Sequence, residues 1–303
     1  MSIVVLGSSN TDMILRMKRI PRPGETILGG EFAMAAGGKG ANQAVAAARA
    51  GGKVVFVSKV GDDLFGERSV EGYKKDGVDV SYIFKDKNLA SGVALIFVEE
   101  TGENAIGVAS GANMALTAEE IRRAKPALES ADVLLAQLET PLDAFAEALA
   151  LKGEKTRAIL NPAPAAPIPD EILAKLYLIT PNETEVETLT GVVVENEEHA
   201  ARAAQALMAK GVENVAITMG AKGAFLANTD GNETIPSFRV EAADTTAAGD
   251  VFNGALATAL TEGKNLREAT RFAAAAAARS VTKLGAQPSV PRREEIDALM
   301  NGE

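Results

Sequence analysis

Short apolar, β-branched runs recur along this chain with helical patterns between them, and that alternation restricts the possible folds more than any other feature. Ile3–Gly7, Val54–Val60, Val133–Leu138, Ala158–Leu160, Leu176–Thr180 and Val215–Met219 read as strands. Several are apolar without a polar face, as strands covered on both sides must be. Ala41–Ala50, Thr117–Leu128, Leu142–Leu151, Asn182–Thr190, Glu197–Lys210, Gly249–Glu262 and Leu266–Thr282 carry helical patterns. Strands alternating with helices predict an α/β fold: a doubly wound, mostly parallel sheet with helices on both faces. A chain of 303 residues fits one large unit of this kind, so we expect a single domain over residues 1–303.

Two segments break the alternation. Val93–Glu99 and Asn104–Ala109 flank Glu100-Thr101-Gly102-Glu103, a hairpin signal with no helix between. Met13–Phe32 is also strand-like, interrupted by Pro21, Pro23 and Gly24. We expect these segments, spanning about 13–35 and about 90–112, to form a small β-sheet lid beside the main sheet. A second hairpin around Asp230-Gly231 is expected to join Ala224–Ala227 to Thr234–Phe238.

Charge and composition remove several classes of function. Acidic residues outnumber basic ones by 41 to 31, a net charge of −10, so the basic excess that nucleic acid or an anionic membrane rewards is missing. Neither partner is expected. An anionic phosphate would have to be held locally, by backbone amides and a few cations. The sequence has no cysteine and a single histidine, His199, placed in a charged stretch and expected to be an exposed helix residue. Thiolate chemistry, a zinc cluster and a histidine-based triad are thereby excluded. No run reaches membrane-spanning length, and Met1–Gly7 lacks the basic flank of a signal peptide, so the expected location is cytoplasmic.

The strongest local signal is Asp244-Thr245-Thr246-Ala247-Ala248-Gly249-Asp250, which opens a helical pattern. Small residues let a ligand approach the backbone, and a helix start offers unpaired amides to an anion. An acid there can take a proton from a hydroxyl while the amides steady a phosphoryl group. Equally, Asp250 can simply favour a helix N-terminus, where acids are common. Gly37-Gly38-Lys39-Gly40-Ala41-Asn42-Gln43 is a second signal. It is not a P-loop, because no Ser or Thr follows the lysine. Tight loop-to-helix packing and close approach to a polar ligand, with Lys39 and Asn42 as hydrogen-bonding groups, both remain open.

Asn182 and Glu185 have the spacing of a capping box, and the same acid can hold magnesium through water near nucleotide phosphates. Thr218-Met219-Gly220-Ala221-Lys222-Gly223 reads as a glycine turn after a strand, with phosphate cradling as the alternative. Ser9-Asn10-Thr11-Asp12 and Gln137-Leu138-Glu139 end predicted strands, where open α/β sheets bind ligands, though loop polarity also explains them.

Taken together, these blocks resemble the ribokinase-type sugar-kinase family, in its ribokinase branch. Gly37–Asn42 resembles the family's amino-terminal signature and Asp244–Asp250 its carboxy-terminal one. Asn161-Pro162-Ala163-Pro164-Ala165, Pro181–Glu185 and Gly285-Ala286-Gln287-Pro288-Ser289 fall between or after them in the family's order, and the likeness runs from Val4 to about Asp297.

The resemblance implies ATP-dependent phosphorylation of the primary hydroxyl of D-ribose, with Asp250 as catalytic base. It implies that Asn10, Thr11, Asp12, Gly38, Lys39, Gly40, Ala41, Asn42 and Glu139 surround the sugar. Asn182 and Glu185 would serve the nucleotide phosphates and water-bound Mg2+, and Ala247, Ala248, Gly249 and Asp250 would form the anion hole. Thr218, Met219, Gly220, Ala221, Lys222 and Gly223 would line ATP, with Ala274 near the adenine. A monovalent cation, K+ by expectation, would be held by Asp244, Thr246, Ser280, Lys283, Gly285 and Ser289. A homodimer through the lids is implied as well. The run Ala273–Ala278 departs from the polar adenine contact common in the family, so packing and backbone would hold the base. The alternatives are the same chemistry on deoxyribose, fructose or a nucleoside, or a non-catalytic sensor that kept the fold.

Overall fold

The computed structural model describes residues 2–302. In chain order, β1 (Ile3–Leu6), β2 (Asn10–Met17) and β3 (Glu31–Gly37) precede α1 (Lys39–Arg49). Then come β4 (Val54–Gly61), α2 (Leu64–Lys75), β5 (Asp79–Asp86), β6 (Gly92–Glu99), β7 (Asn104–Ala109), α3 (Ala118–Arg123) and α4 (Lys125–Ser130). Next are β8 (Val133–Ala136), α5 (Leu142–Leu151), β9 (Arg157–Leu160), α6 (Asp170–Leu173), β10 (Leu178–Ile179) and α7 (Glu183–Thr190). The chain ends with α8 (Glu197–Met208), β11 (Asn214–Thr218), β12 (Ala224–Asn228), β13 (Gly231–Ile235), α9 (Ala248–Thr261), α10 (Leu266–Ser280) and α11 (Arg293–Met300).

Nine strands form one sheet in the order β13-β12-β11-β10-β9-β8-β1-β4-β5, parallel from β11 to β5 and closed on one side by the antiparallel pair β12 and β13. The apolar runs are explained by two cores. Ile3 and Val5 of β1, with Val133 and Leu135 of β8, point into a layer built with α1, α9 and α10. Val4, Leu6, Leu134 and Ala136 point the other way, into a layer with α3, α5 and α8. Because side chains alternate along a strand, both sets of positions must be apolar when both faces are covered.

The remaining strands form a separate four-stranded sheet in the order β3-β2-β6-β7. It is mixed: β2 pairs antiparallel with β3 and parallel with β6, while β6 and β7 make the expected hairpin. The strand-like stretch Met13–Phe32 therefore divides into two strands with the proline-bearing loop between them. Asn10 to Asp12, expected in a loop after β1, already belong to β2. Ser91 ties the entry to β6 onto the larger sheet, its hydroxyl accepting from the Gly61 amide of β4 at 3.0 Å, while its amide and hydroxyl donate to Asp63 at the start of α2 at 2.8 and 2.7 Å.

Other boundaries also shift. The helix expected over Thr117–Leu128 is two short helices, because Pro126 lacks an amide and crowds the preceding turn. β10 keeps only two paired residues, although backbone bonds at Tyr177 and Thr180 extend its contact with β9. The hairpin after β12 closes earlier than expected, at Gly231–Ile235. α2, β5 and α11 have no counterpart in the sequence reading, and His199 is half-buried on α8 rather than fully exposed.

Candidate active site

The chain leaves β1 toward β4 on one side and returns to β8 on the other, so the winding reverses between β1 and β8. Open α/β sheets form a crevice outside the carboxyl ends of strands at such a point. Here Ser8 donates its hydroxyl to Glu139 Oε2 at 2.5 Å, and the Lys39 amide donates to the same oxygen at 3.0 Å. The glycines of the Gly37–Gly40 run make this approach possible. Gly38 has φ 90°, and a Cβ on Gly40 would stand 2.5 Å from the backbone of Gly7 and Ser8. The start of α1 is thus laid directly on the end of β1.

Asn10 and Asp12 alternate on one face of β2. Asn10 Oδ1 accepts from Asn113 at 2.8 Å. The Asp12 carboxylate packs on Gly37, where a Cβ would meet Oδ2 at 2.2 Å. Burial, then the charges of Glu139 and Asp250, pushes the Asp12 carboxyl up from its ordinary 3.8 to about 6. Thr11 is buried too, but alternation puts it on the opposite face of the strand. Ala41 and Asn42 are buried in the first turns of α1.

Asp250 sits in the first turn of α9 and is only 6% exposed. Its carboxylate accepts from Asn42 Nδ2 at 3.0 Å through Oδ2 and from Gln43 Nε2 at 2.9 Å through Oδ1. Burial raises the Asp250 pKa; Lys39, Gln43 and Asn42 oppose that rise, and Glu139 adds to it. Ala247, just before the helix, has φ 61°, the one left-handed residue other than glycine among the described residues. For an alanine that conformation costs of order 1 kcal/mol, and it stands where α9 begins, with the Ala248 amide donating to the Thr245 carbonyl at 3.2 Å. Asn42 Oδ1 is buried without a hydrogen-bond partner. A carboxylate, an unpartnered amide oxygen and an open helix start converge on one spot, which suits a hydroxyl meeting an anionic group.

Comparison with known proteins gives this arrangement its context. The model of the pfkB family of carbohydrate kinases matches residues 1–293. The chain belongs to the pfkB family. This pfkB carbohydrate kinase is 46% identical to the ribokinase of Haemophilus influenzae over 295 residues, covering 97% of this chain and 96% of that one. It is 39% identical to a deoxyribokinase of Salmonella typhi, with 99% of each covered. Among solved structures, Arabidopsis thaliana ribokinase complexed with ribose and ATP matches with TM-score 0.88 and 32% identity, covering 99% of this chain and 98% of that one.

Of the candidate nucleotide residues, those that follow β10 and those that follow β11 come together. Asn182 and Glu185 form a reciprocal capping box at 2.8 and 2.9 Å. Burial raises the Glu185 carboxyl; its bond from Asn182 and the charge of Lys39 oppose this, and Asp250 adds to it. Lys39 is therefore within electrostatic reach of both acids. Asn182 bridges to Thr218, which carries the turn Met219–Gly223 to the same edge. Gly223 has φ 105°, and a Cβ there would meet the Ile235 carbonyl at 2.0 Å. Ala221 and Lys222 are exposed on that turn, while Ala274 is buried in α10.

The candidate cation residues divide into two groups. Asp244 accepts from the Thr246 amide at 2.9 Å and from the Gly285 amide at 2.8 Å, and the amides of Ala243 and Asp244 reach the Val281 carbonyl. Burial pushes Asp244 upward, but these hydrogen bonds outweigh it and hold the carboxyl low and ionised. Ser280 ends α10 and Lys283 and Ser289 follow it, yet Ser280 and Ser289 bond to Ala277 and Ala286, and Lys283 pairs with Glu295 at 2.6 Å. The sequence reading gave no role to Ser8, Asn113 or Gln43. Gln43 had a visible signal, standing one position beyond Asn42 in the same glycine-led motif.

Proposed function

We propose that this protein transfers the terminal phosphoryl group of ATP to the primary hydroxyl of D-ribose, giving D-ribose 5-phosphate and ADP. The observation that carries the reading is the buried Asp250 carboxylate at an open helix start beside the unpartnered Asn42 Oδ1. Asp250 accepts the hydroxyl proton as the sugar oxygen attacks the γ-phosphorus, and the bond to ADP breaks. Positioning and charge stabilisation carry most of such a transfer. Amides of Ala247, Gly249 and Asp250 would face the charge that develops, each worth roughly 3 kcal/mol, whereas that of Ala248 donates to the Thr245 carbonyl. Asn10, Asp12, Gly38, Lys39, Asn42 and Glu139 present donors and acceptors to a small polyhydroxylated acceptor. The names of the ribokinases and of the Arabidopsis complex with ribose and ATP support ribose; the deoxyribokinase likeness makes deoxyribose the second reading.

The donor sets suit the ions that this chemistry uses. Glu185, whose Oε2 is taken by Asn182, can hold Mg2+ through water, where the ion would neutralise phosphate charge. Asp244, kept ionised and tied to the Gly285 turn, suits a monovalent cation such as K+, which would strengthen the field of the anion-hole amides. The four-stranded sheet, carrying Asn10 and Asp12, serves as the lid of a single domain and as the contact surface of a homodimer. A need for ATP supports a cytoplasmic location. Among the described residues no helix is long and apolar enough to cross a membrane.

The test is a substrate panel of ribose, deoxyribose, fructose and a nucleoside, read by coupled ADP release in potassium and in sodium. Ribose should give the highest kcat/KM, and potassium should raise the rate. A nucleoside phosphorylated in preference to ribose would overturn the acceptor, and equal rates in both salts would remove the cation site.

A further inference from the structure

A chain of buried amides lies behind Asp250, away from the spot where the sugar is placed. Gln137, at the end of β8, donates its Nε2 to Gln43 Oε1 at 2.6 Å. Gln43 in turn donates Nε2 to Asp250 Oδ1 and to Asn161 Oδ1, each at 2.9 Å. Asn161, just after β9, donates to the Thr180 carbonyl at 3.2 Å. Gln43 is 0% exposed and Gln137 1%. No substrate group can reach either side chain without displacing the core.

A glutamine amide can face either way, and its neighbours decide which. Gln43 Oε1 is engaged by a donor from Gln137, so its NH2 must face Asp250. The reversed amide would set Oε1 against the carboxylate and Nε2 against the Gln137 NH2, two repulsive contacts in a low-dielectric interior. Gln137 itself has room to lie this way because residue 7 is glycine: a Cβ on Gly7 would stand 2.1 Å from Gln137 Oε1. Two strand ends, β8 and β9, therefore fix one side chain of α1, which fixes one oxygen of a residue on α9.

We propose that Gln43, held in one orientation by Gln137, is a positioning residue for Asp250: its donor on Oδ1, together with that of Asn42 on Oδ2, fixes the carboxylate that receives the substrate proton. The proposal rests on Asp250 acting as the base. A donor held permanently on Oδ1 has two consequences. It fixes the rotation of the carboxylate, so the proton acceptor meets the hydroxyl in a single geometry. It also favours the ionised form against the desolvation that burial imposes.

The experiment measures kcat and KM against pH for Gln43→Met and Gln137→Met, unbranched replacements of similar length, alongside Asp250→Asn. For Gln43→Met we expect kcat to fall roughly ten- to a hundredfold, the loss of a hydrogen bond to a charged group. KM for sugar and ATP should stay within about threefold, because no substrate contact is removed. The acid limb of the kcat profile should move to higher pH by about one unit, since the carboxylate loses a donor. Gln137→Met should move the limb in the same direction by less, and it keeps the test open should Gln43→Met fold poorly. In an Asp250→Asn background, Gln43→Met should produce no further loss. A Gln43→Met protein with wild-type kcat and an unmoved acid limb overturns the proposal while Asp250→Asn shows its expected loss of turnover. Undiminished turnover in Asp250→Asn alone instead removes the base on which it rests.

Discussion

Asp250 and Asp12 are both acids drawn into a poorly solvated cleft, yet the physics asks different things of them. Asp250 keeps two amide donors, which offset part of its desolvation. Replacing it by asparagine preserves its shape and removes the proton acceptor. We expect kcat to fall by roughly 10²–10⁴-fold, with ATP affinity by calorimetry within a few-fold of wild type. Asp12 is raised to about 6 by burial and then by its acidic neighbours, so its ionised form opposes folding in the ligand-free protein. The sign follows from linkage. Its contribution to stability is fully present below its ordinary 3.8 and is lost as pH rises through about 6. Without sugar, Asp12→Asn should therefore melt above wild type at pH 8, and the gap should shrink as pH falls toward 5. Thermal melts across that range decide it, and a gap that does not narrow would mean Asp12 is not the strained acid.

The contact between α1 and α9 brings Asn42 and Gln43 to Asp250, and it depends on a missing side chain. A Cβ on Gly254 would stand 2.5 Å from the Gln43 carbonyl and 2.6 Å from the Ala46 Cβ. Gly254→Ala should force the helices apart, costing roughly 1–3 kcal/mol in denaturant melts and lowering kcat, although the substitution raises helix propensity. This contact also shows where the sequence ran out. The sheet was legible because strands covered on both faces must be apolar throughout, and β1 and β8 are. α2 was not, since Gly66 and Gly72 interrupt its pattern, although Asp63 caps it as a start signal should. Local spacing placed Asp250 at a helix start and Asn182 in a capping box. It could not show that Gln43, Gln137 and Asn161 share a hydrogen-bonded chain, because those residues come from separate elements and meet only when the sheet has formed. The left-handed Ala247 was equally hidden, since alanine carries no signal for that conformation.

At the scale of the molecule, the four-stranded sheet leaves apolar side chains in solvent. Phe32 and Met34 on β3, Leu95 on β6, and Ile106 and Val108 on β7 are all well exposed, the least of them 42%. Register separates them by face: Met34 and Leu95 both flank Met13, whereas Ile106 lies opposite Ile96 and Val108 opposite Ala94. Ile106 and Val108 therefore share the face that bears Asp12, while Phe32, Met34 and Leu95 form an apolar patch on the other, and exposed apolar patches mark contact surfaces. With a net charge of −10, two copies would repel at long range, so the proposed homodimer would draw on apolar burial and should strengthen with salt. Placing acids on the two faces, as Leu95→Glu with Ile106→Glu, should halve the mass measured by light scattering at micromolar protein. It should also raise KM for the sugar, because the strands holding Asn10 and Asp12 would lose their support, while the melting of the nine-stranded core stays close to wild type. A wild-type protein that is already monomeric at that concentration, in high salt as in low, would show instead that the exposed sheet is not a contact between copies of this chain.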